Sequence, residues 1–170
     1  MTTYTCSYEA SIGTITAATC DEALVGLWFN GQKYFPTATD TWQHKPDHPV
    51  LANLCAWLDS YFAGEPQPFT GKLAPAGSAF RQEVWQELLR IPYGATTTYG
   101  AIAKELANRR GLGRFSAQAV GGAVGHNPIS IVIPCHRVVG SNGSLTGYAG
   151  GLEKKQILLA LEGALCATPL

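Results

Sequence analysis

The sequence predicts an α+β protein: a small N-terminal antiparallel sheet with a helix, then a mostly helical C-terminal domain that carries a helix-turn-helix and a candidate active-site cysteine. Three observations predict it. Residues 4–30 alternate apolar and polar positions with the period of two that a half-buried strand requires. From Pro49 the apolar spacing lengthens to that of a helix, and the second half repeats this spacing in short runs ended by Gly or Pro.

Tyr4, Cys6 and Tyr8 open the alternation, a turn follows near Ser11-Ile12-Gly13, and Ile15 with Ala17 continues it. The run LVGLWFN ends at Asn30-Gly31, a turn pair, so the whole reads as an antiparallel meander. Val50, Leu54, Leu58 and Phe62 then line one face of a helix that stops at Gly64 and Pro66. Residues 1–72 are therefore expected to form an α/β structural domain. The Pro- and Gly-rich GEPQPFTGKLAPAG serves as linker to residues 73–170.

In the second domain Ser78 is placed to cap a helix bearing Phe80, Val84, Trp85 and Leu88, closed by Ile91-Pro92-Tyr93-Gly94. A helix from about Thr98 to Ala107 buries Ile102 and Leu106, and a third runs from Ser116 through AQAVGGAVG. Two short helices joined by a Gly-containing segment read as a helix-turn-helix, although NRRGLGRF is longer than the usual turn. ISIVI reads as a buried strand, Ser141-Asn142-Gly143 as a turn, and a last helix runs through Ile157, Leu158 and Leu161 to Glu162 and Gly163.

With 46% hydrophobic residues, the 170-residue chain has ample material for a core. Nothing approaches the roughly 18 consecutive apolar residues of a membrane span, and the N-terminus lacks the pattern of a signal peptide. A cytoplasmic protein with no membrane partner is expected. Cys6, Cys20, Cys55, Cys135 and Cys166 are odd in number and lack CxxC spacing, which favours free thiols over a disulfide framework. An irregular metal site from Cys6 and Cys20 with His44 or His48 stays open as an alternative; otherwise no metal and no cofactor is implied. The net charge of zero conceals an asymmetry: two Lys/Arg against seven Asp/Glu in residues 1–71, ten against five in residues 72–170. Lys104, Arg109, Arg110 and Arg114, with only Glu105 among them, form a cationic patch suited to phosphates.

A cysteine after an apolar run is ordinarily a small buried hydrophobe. Around Cys135, however, Pro134 stiffens the approach, His136 and Arg137 bring basic groups close, and Gly-rich loops flank Tyr148. A thiolate needs such surroundings to form near neutral pH. Neighbouring side chains on extended backbone point apart, so His136 reaches Cys135 only through a sharp turn or a water. Glu162 is the natural orienter of that histidine.

IPCHRVVG, from Ile133 to Gly140, resembles the active-site signature of the O6-alkylguanine-DNA alkyltransferases. Pro92-Tyr93-Gly94, Thr98-Tyr99-Gly100 and Asn127-Pro128 stand ahead of it in family-like order, and Gly147-Tyr148-Ala149-Gly150-Gly151, Leu158-Leu159 and Glu162-Gly163 follow it. The ordered match covers residues 78–163, while residues 1–77 match in general plan only. The resemblance implies irreversible, stoichiometric transfer of an alkyl group from O6-alkylguanine in double-stranded DNA to Cys135, by a monomer with no obligate protein partner.

It further implies that His136 takes the thiol proton through a water, that Glu162 polarises His136, and that Asn127 holds the turn presenting the cysteine. Tyr148 would line the pocket and protonate the departing guanine. Val124, Pro134, Val138 and Ala149 complete the substrate pocket, with carbonyls near Cys135 and Val138 accepting from the guanine amino group. Tyr99 would press on the 3′ phosphate, and Ala119, Gly121 and Gly122 would let the recognition helix approach the minor groove. Arg109, Arg110, Arg114 and Arg137 would contact DNA.

Two positions depart from the family pattern. Gln118 stands where most relatives carry an intercalating arginine, and Ala149 replaces a small hydroxyl residue that often follows the pocket tyrosine. Two other functions remain as rivals: a thiol hydrolase using Cys135 and His136, and a non-catalytic binder of alkylated DNA. Thiol hydrolases generally draw cysteine and histidine from distant segments, and non-catalytic relatives of the family replace the acceptor cysteine.

Overall fold

The computed structural model describes residues 1–164 and divides into two compact units; Cys166 lies outside the described residues. The first unit comprises residues 1–76 together with 128–132, the second residues 77–127 and everything from 133 onward.

In the first unit, β1 (Tyr4–Ala10), β2 (Gly13–Cys20) and β3 (Ala23–Phe29) form the expected antiparallel meander. Asp21 and Glu22 close the β2–β3 hairpin with positive φ at both positions, the backbone twist that two-residue hairpins favour. A fourth strand, β4 (Gln43–His44), joins in parallel beside β1 and gives the order β3-β2-β1-β4. No alternation signals so short a strand. The far edge of β3 is covered in two places: Leu24 bonds to Lys72 and Ala74, and Leu27 to Pro128 and Ser130. Gly26 admits the Trp28 ring across its α-carbon, where any β-carbon would fall inside the indole.

α1 (Pro49–Phe62) begins as expected, with proline in its first turn and the His48 imidazole accepting from the Val50 amide. Its buried face is Leu51, Leu54, Leu58 and Tyr61, not the strict four-residue row through Val50 and Phe62. A helix turns 3.6 residues at a time, so a row spaced by four drifts off the core and one mixing threes and fours stays on it.

The second unit is built on α2 (Ala79–Leu88), α3 (Tyr99–Arg110), α4 (Ala117–Gly125) and α5 (Leu152–Leu161). Ser78, Thr98 and Ser116 cap the first three, each hydroxyl accepting the amide three residues on. Gly111 ends α3 in the left-handed region while Leu112 N–H reaches back to Ala107, a Schellman closure. The long connection to α4 is anchored by Phe115, stacked on Phe80 at 5.3 Å. Trp85 fixes α2 to α4 by donating from its indole to the Ala123 carbonyl at 2.9 Å.

The expected strand over ISIVI does not form. Ile129 makes one bridge to Leu27 and the chain then turns, with Ile131 at φ 70°. The segment is apolar because it is buried in the first unit, and burial alone does not distinguish a strand from a packed turn. The regular pairing falls elsewhere: β5 (Thr97–Thr98) runs parallel to β6 (Val138–Val139). In α5 the buried residues are Lys155, Leu158 and Leu159, whereas Ile157 is exposed.

Candidate active site

Cys135, His136 and Arg137 form a single 3-10 turn directly ahead of β6. Pro134 precedes it, and the Val138 amide closes it onto the Cys135 carbonyl. Asn127 ties the entrance, donating from Nδ2 to the Ile133 carbonyl at 2.8 Å. The turn is buried throughout, Cys135 keeping 6% of its surface and His136 none. Burial pushes the Cys135 thiol up, while Asn127 and the Lys155 ammonium pull it back toward the thiolate.

His136 Nε2 lies 2.7 Å from Glu162 Oε2, the pairing expected from sequence. A carboxylate only accepts, so this contact places the imidazole proton on Nε2 and leaves the Nδ1 lone pair as the basic site. Nδ1 is buried and has no hydrogen-bond partner among the described residues. Burial lowers the pKa of His136 and keeps it neutral, against the opposing pull of Glu162.

Arg137, expected from the resemblance to contact DNA, is buried. Its guanidinium forks onto the same carboxylate, Nε to Oε1 at 2.7 Å and Nη2 to Oε2 at 2.9 Å, while Nη1 donates to the Ile91 carbonyl. Glu162 sits at the negative end of α5, and a buried carboxylate there is stabilised by a cation.

The functional residue that sequence reasoning missed is Lys155. It is fully buried, and Nζ donates to the carbonyls of Val138, Thr146 and Gly147 at 2.6, 2.8 and 3.1 Å. Burial lowers its pKa to about 8, Cys135 opposing the shift. The available signal was a lysine on the apolar side of α5, between Leu152 and Leu158-Leu159. Thr146 accepts from a second donor, the Tyr99 hydroxyl at 3.0 Å, so Lys155 and Tyr99 together hold the loop that leads to Tyr148 and Ala149. Those two residues are half-buried, with the Tyr148 hydroxyl oxygen itself enclosed. Val124, Pro134 and Val138 are buried.

On α4, Gln118, Ala119 and Gly122 are exposed and Gly121 is half-exposed. A β-carbon at Gly122 would meet nothing within 4 Å, and one at Gly121 would make only ordinary contact with Tyr99. Neither glycine is required by packing inside the chain. Each costs a helix about 1 kcal/mol relative to alanine.

The cationic patch is changed by the fold. Arg109 and Arg110 belong to the last turn of α3, where Arg109 pairs with Glu87 and Glu105, and Arg110 pairs with Glu83 and covers Phe115. Only one of these three carboxylates is nearby in sequence; the other two arrive on α2. Arg114 is exposed and without an ion-pair partner among the described residues. Of the alternative metal ligands, Cys6 lies against Cys55, and His48 is spent on the cap of α1. Among the described residues no three His, Cys, Asp or Glu side chains converge, and no helix is long and apolar enough to cross a membrane.

Known proteins resemble this chain over most of its length. Residues 3–75 match the model of the 6-O-methylguanine DNA methyltransferase ribonuclease-like domain, and residues 79–164 that of its DNA-binding domain. A methylated-DNA--protein-cysteine methyltransferase of Methanosarcina acetivorans is 43% identical over 95% of this chain and 99% of its own. Another, from Mycolicibacterium paratuberculosis, is 46% identical over 91% and 88%. The crystal structure of Mycobacterium tuberculosis OGT in complex with DNA superposes with a TM-score of 0.82 at 40% identity, covering 96% of this chain and 94% of that one. With a cysteine turn, a buried histidine–carboxylate pair and both domains matched in order, the chain belongs to the 6-O-methylguanine DNA methyltransferase family.

Proposed function

We propose that the protein repairs double-stranded DNA by moving an alkyl group from O6-alkylguanine to Cys135, once per molecule. The observation that carries this reading is the Cys135 turn backed by His136, Glu162 and Arg137. Arg137 pairs with Glu162, Glu162 fixes the Nε2–H tautomer of His136, and the Nδ1 lone pair takes the thiol proton through a bridging water. Lys155 lowers the cost of the thiolate so formed. The sulfur then displaces guanine at the alkyl carbon, and Tyr148 supplies a proton to the departing base. The product thioether has no leaving group that water could displace, so the protein is consumed.

The nucleotide leaves the stack at a cost of about a few kcal/mol and reaches the thiol by rotation into the pocket. In this reading α4 enters the minor groove with Gln118 filling the gap, Gly121 and Gly122 allow close approach, and Tyr99 bears on the backbone. Arg114 supplies phosphate contact, while Arg109 and Arg110 brace α3 against α2. Residues 1–72 act as the structural domain and residues 73–170 as the DNA-binding and acceptor domain. The same reading has the protein act as a monomer in a reducing, cytoplasmic compartment, where Cys6, Cys20, Cys55 and Cys135 stay free thiols.

Incubation with duplex DNA bearing O6-methylguanine, followed by intact mass measurement, tests the reading. The expected result is one added methylene on every molecule, mapped to Cys135 and without turnover. Cys135→Ala should lose the transfer and keep DNA binding. Turnover, or persistent transfer by the variant, would overturn the assignment.

A further inference from the structure

One pair of nucleophiles in the first unit takes no part in the chemistry above. Cys6 on β1 faces Cys55 on α1 with their sulfurs 3.8 Å apart, although 49 residues separate them in the chain. Cys6 keeps only 2% of its surface, whereas Cys55 is half-buried and open to solvent on one side.

We infer that Cys6 and Cys55 form a second reactive site, a dithiol that exchanges with low-molecular-weight disulfides and closes to an intrachain disulfide. Geometry makes the division of labour. The accessible sulfur of Cys55 receives the external disulfide, and the enclosed Cys6 is already within van der Waals reach to resolve it. Closing the bridge requires the sulfurs to approach from 3.8 Å to about 2.05 Å.

The electrostatics agree with that order of events. The contact with Cys6 draws the Cys55 thiol down to about 7, against burial and the nearby Asp59 carboxylate, while the Cys6 thiol is raised in return. Tyr8 also faces this group, its hydroxyl donating to Asp59 at 2.6 Å. Cys55, the more exposed of the two and the one drawn toward the thiolate, is the attacking thiol. By contrast, burial raises the Cys135 thiol, and its sulfur lies inside the folded chain.

The steps balance. The Cys55 thiolate attacks one sulfur of the disulfide RSSR, forming a Cys55–SR bond and releasing RS⁻, which takes the Cys6 proton. The Cys6 thiolate then attacks the Cys55 sulfur, forming the Cys6–Cys55 bond and expelling a second RS⁻. Two electrons pass from the protein dithiol to the external disulfide, which leaves as two thiols.

Oxidised glutathione is a suitable probe for the full-length protein. After exposure, remaining thiols are blocked, the intact mass is read, and crosslinked peptides are mapped. The expected result is loss of two hydrogen atoms with Cys6 joined to Cys55. Melting temperature should rise and return to its starting value on reduction, and transfer to Cys135 should be retained. Cys6→Ala should stop at a glutathione adduct on Cys55, and Cys55→Ser should form neither product. No bridge, a stable Cys55 adduct in the unmutated protein, or a bridge to Cys20, Cys135 or Cys166 would each overturn the inference; the unmutated protein alone suffices to decide it.

Discussion

Glu162 holds two basic partners with one carboxylate, and both are buried beside it. Removing its charge therefore acts twice. In Glu162→Gln the Arg137 guanidinium loses its counterion in a buried place, which should cost about 3 kcal/mol of stability in denaturant titration. His136 at the same time loses the negative charge that polarises it, and the single-turnover rate should fall by at least ~10-fold. Full stability with unchanged rate would remove Glu162 from both roles. Lys155 is the second charged residue whose burial has a measurable consequence. Its pKa drops from 10.5 unfolded to about 8 folded, so between those values the unfolded chain binds more protons. Its contribution to stability accordingly rises with pH from about 8 to 10.5 and is lost as pH falls through 8. Lys155→Met should flatten that rise. It should also slow transfer at neutral pH, because the thiolate of Cys135 loses a nearby positive charge. A variant with the parental pH–stability curve would contradict the assignment.

At the scale of elements, α4 combines side chains that are poor for an isolated helix. Gly121, Gly122 and Gly125 weaken it, and its capping by Ser116 and the Trp85 bond to Ala123 hold it in place. Because a methyl group at Gly122 meets nothing in the chain, Gly122→Ala should leave the fold intact or stabilise it by up to about 1 kcal/mol, yet weaken binding to duplex DNA. Gln118→Ala on the same exposed face should slow repair of duplex substrate more than reaction with the free modified base. Equal slowing on both substrates would exclude an intercalating role, and unaltered DNA affinity in the glycine variant would exclude close approach there. In the longer connection before α4 and the turn of α3 that leads to it, Arg109 and Arg110 are engaged by Glu83, Glu87 and Glu105. Arg114 has no ion-pair partner among the described residues.

Over the whole molecule, what could be read beforehand was whatever the local pattern determines. The meander, the cap at Ser78, the helix starts at Thr98 and Ser116, and the His136–Glu162 pair follow from period, hydroxyl placement and chemical type. What could not be read depends on partners distant in sequence. Arg137 looks like a DNA contact until Glu162 arrives from α5, and Arg109 and Arg110 look free until α2 brings Glu83 and Glu87. Lys155 is unremarkable until three carbonyls converge on it. The same dependence on distant partners governs the first unit, which includes residues 128–132 from far along the chain. Leu27 N–H donates to the Pro128 carbonyl at 2.8 Å and its carbonyl accepts from Ser130 at 2.9 Å, so this segment covers part of the β3 edge. Ile129, Ile131 and Val132 add apolar side chains that are nearly or wholly buried. A fragment of residues 1–76 would leave the Leu27 edge open to water or to another chain, the condition that promotes strand pairing between molecules. Amide hydrogen exchange at Leu27 should therefore be much faster in that fragment than in the whole protein, while Leu24, covered by Lys72 and Ala74 within the fragment, should retain more of its protection. Equal protection of Leu27 in both would mean that residues 128–132 contribute nothing to the stability of the sheet.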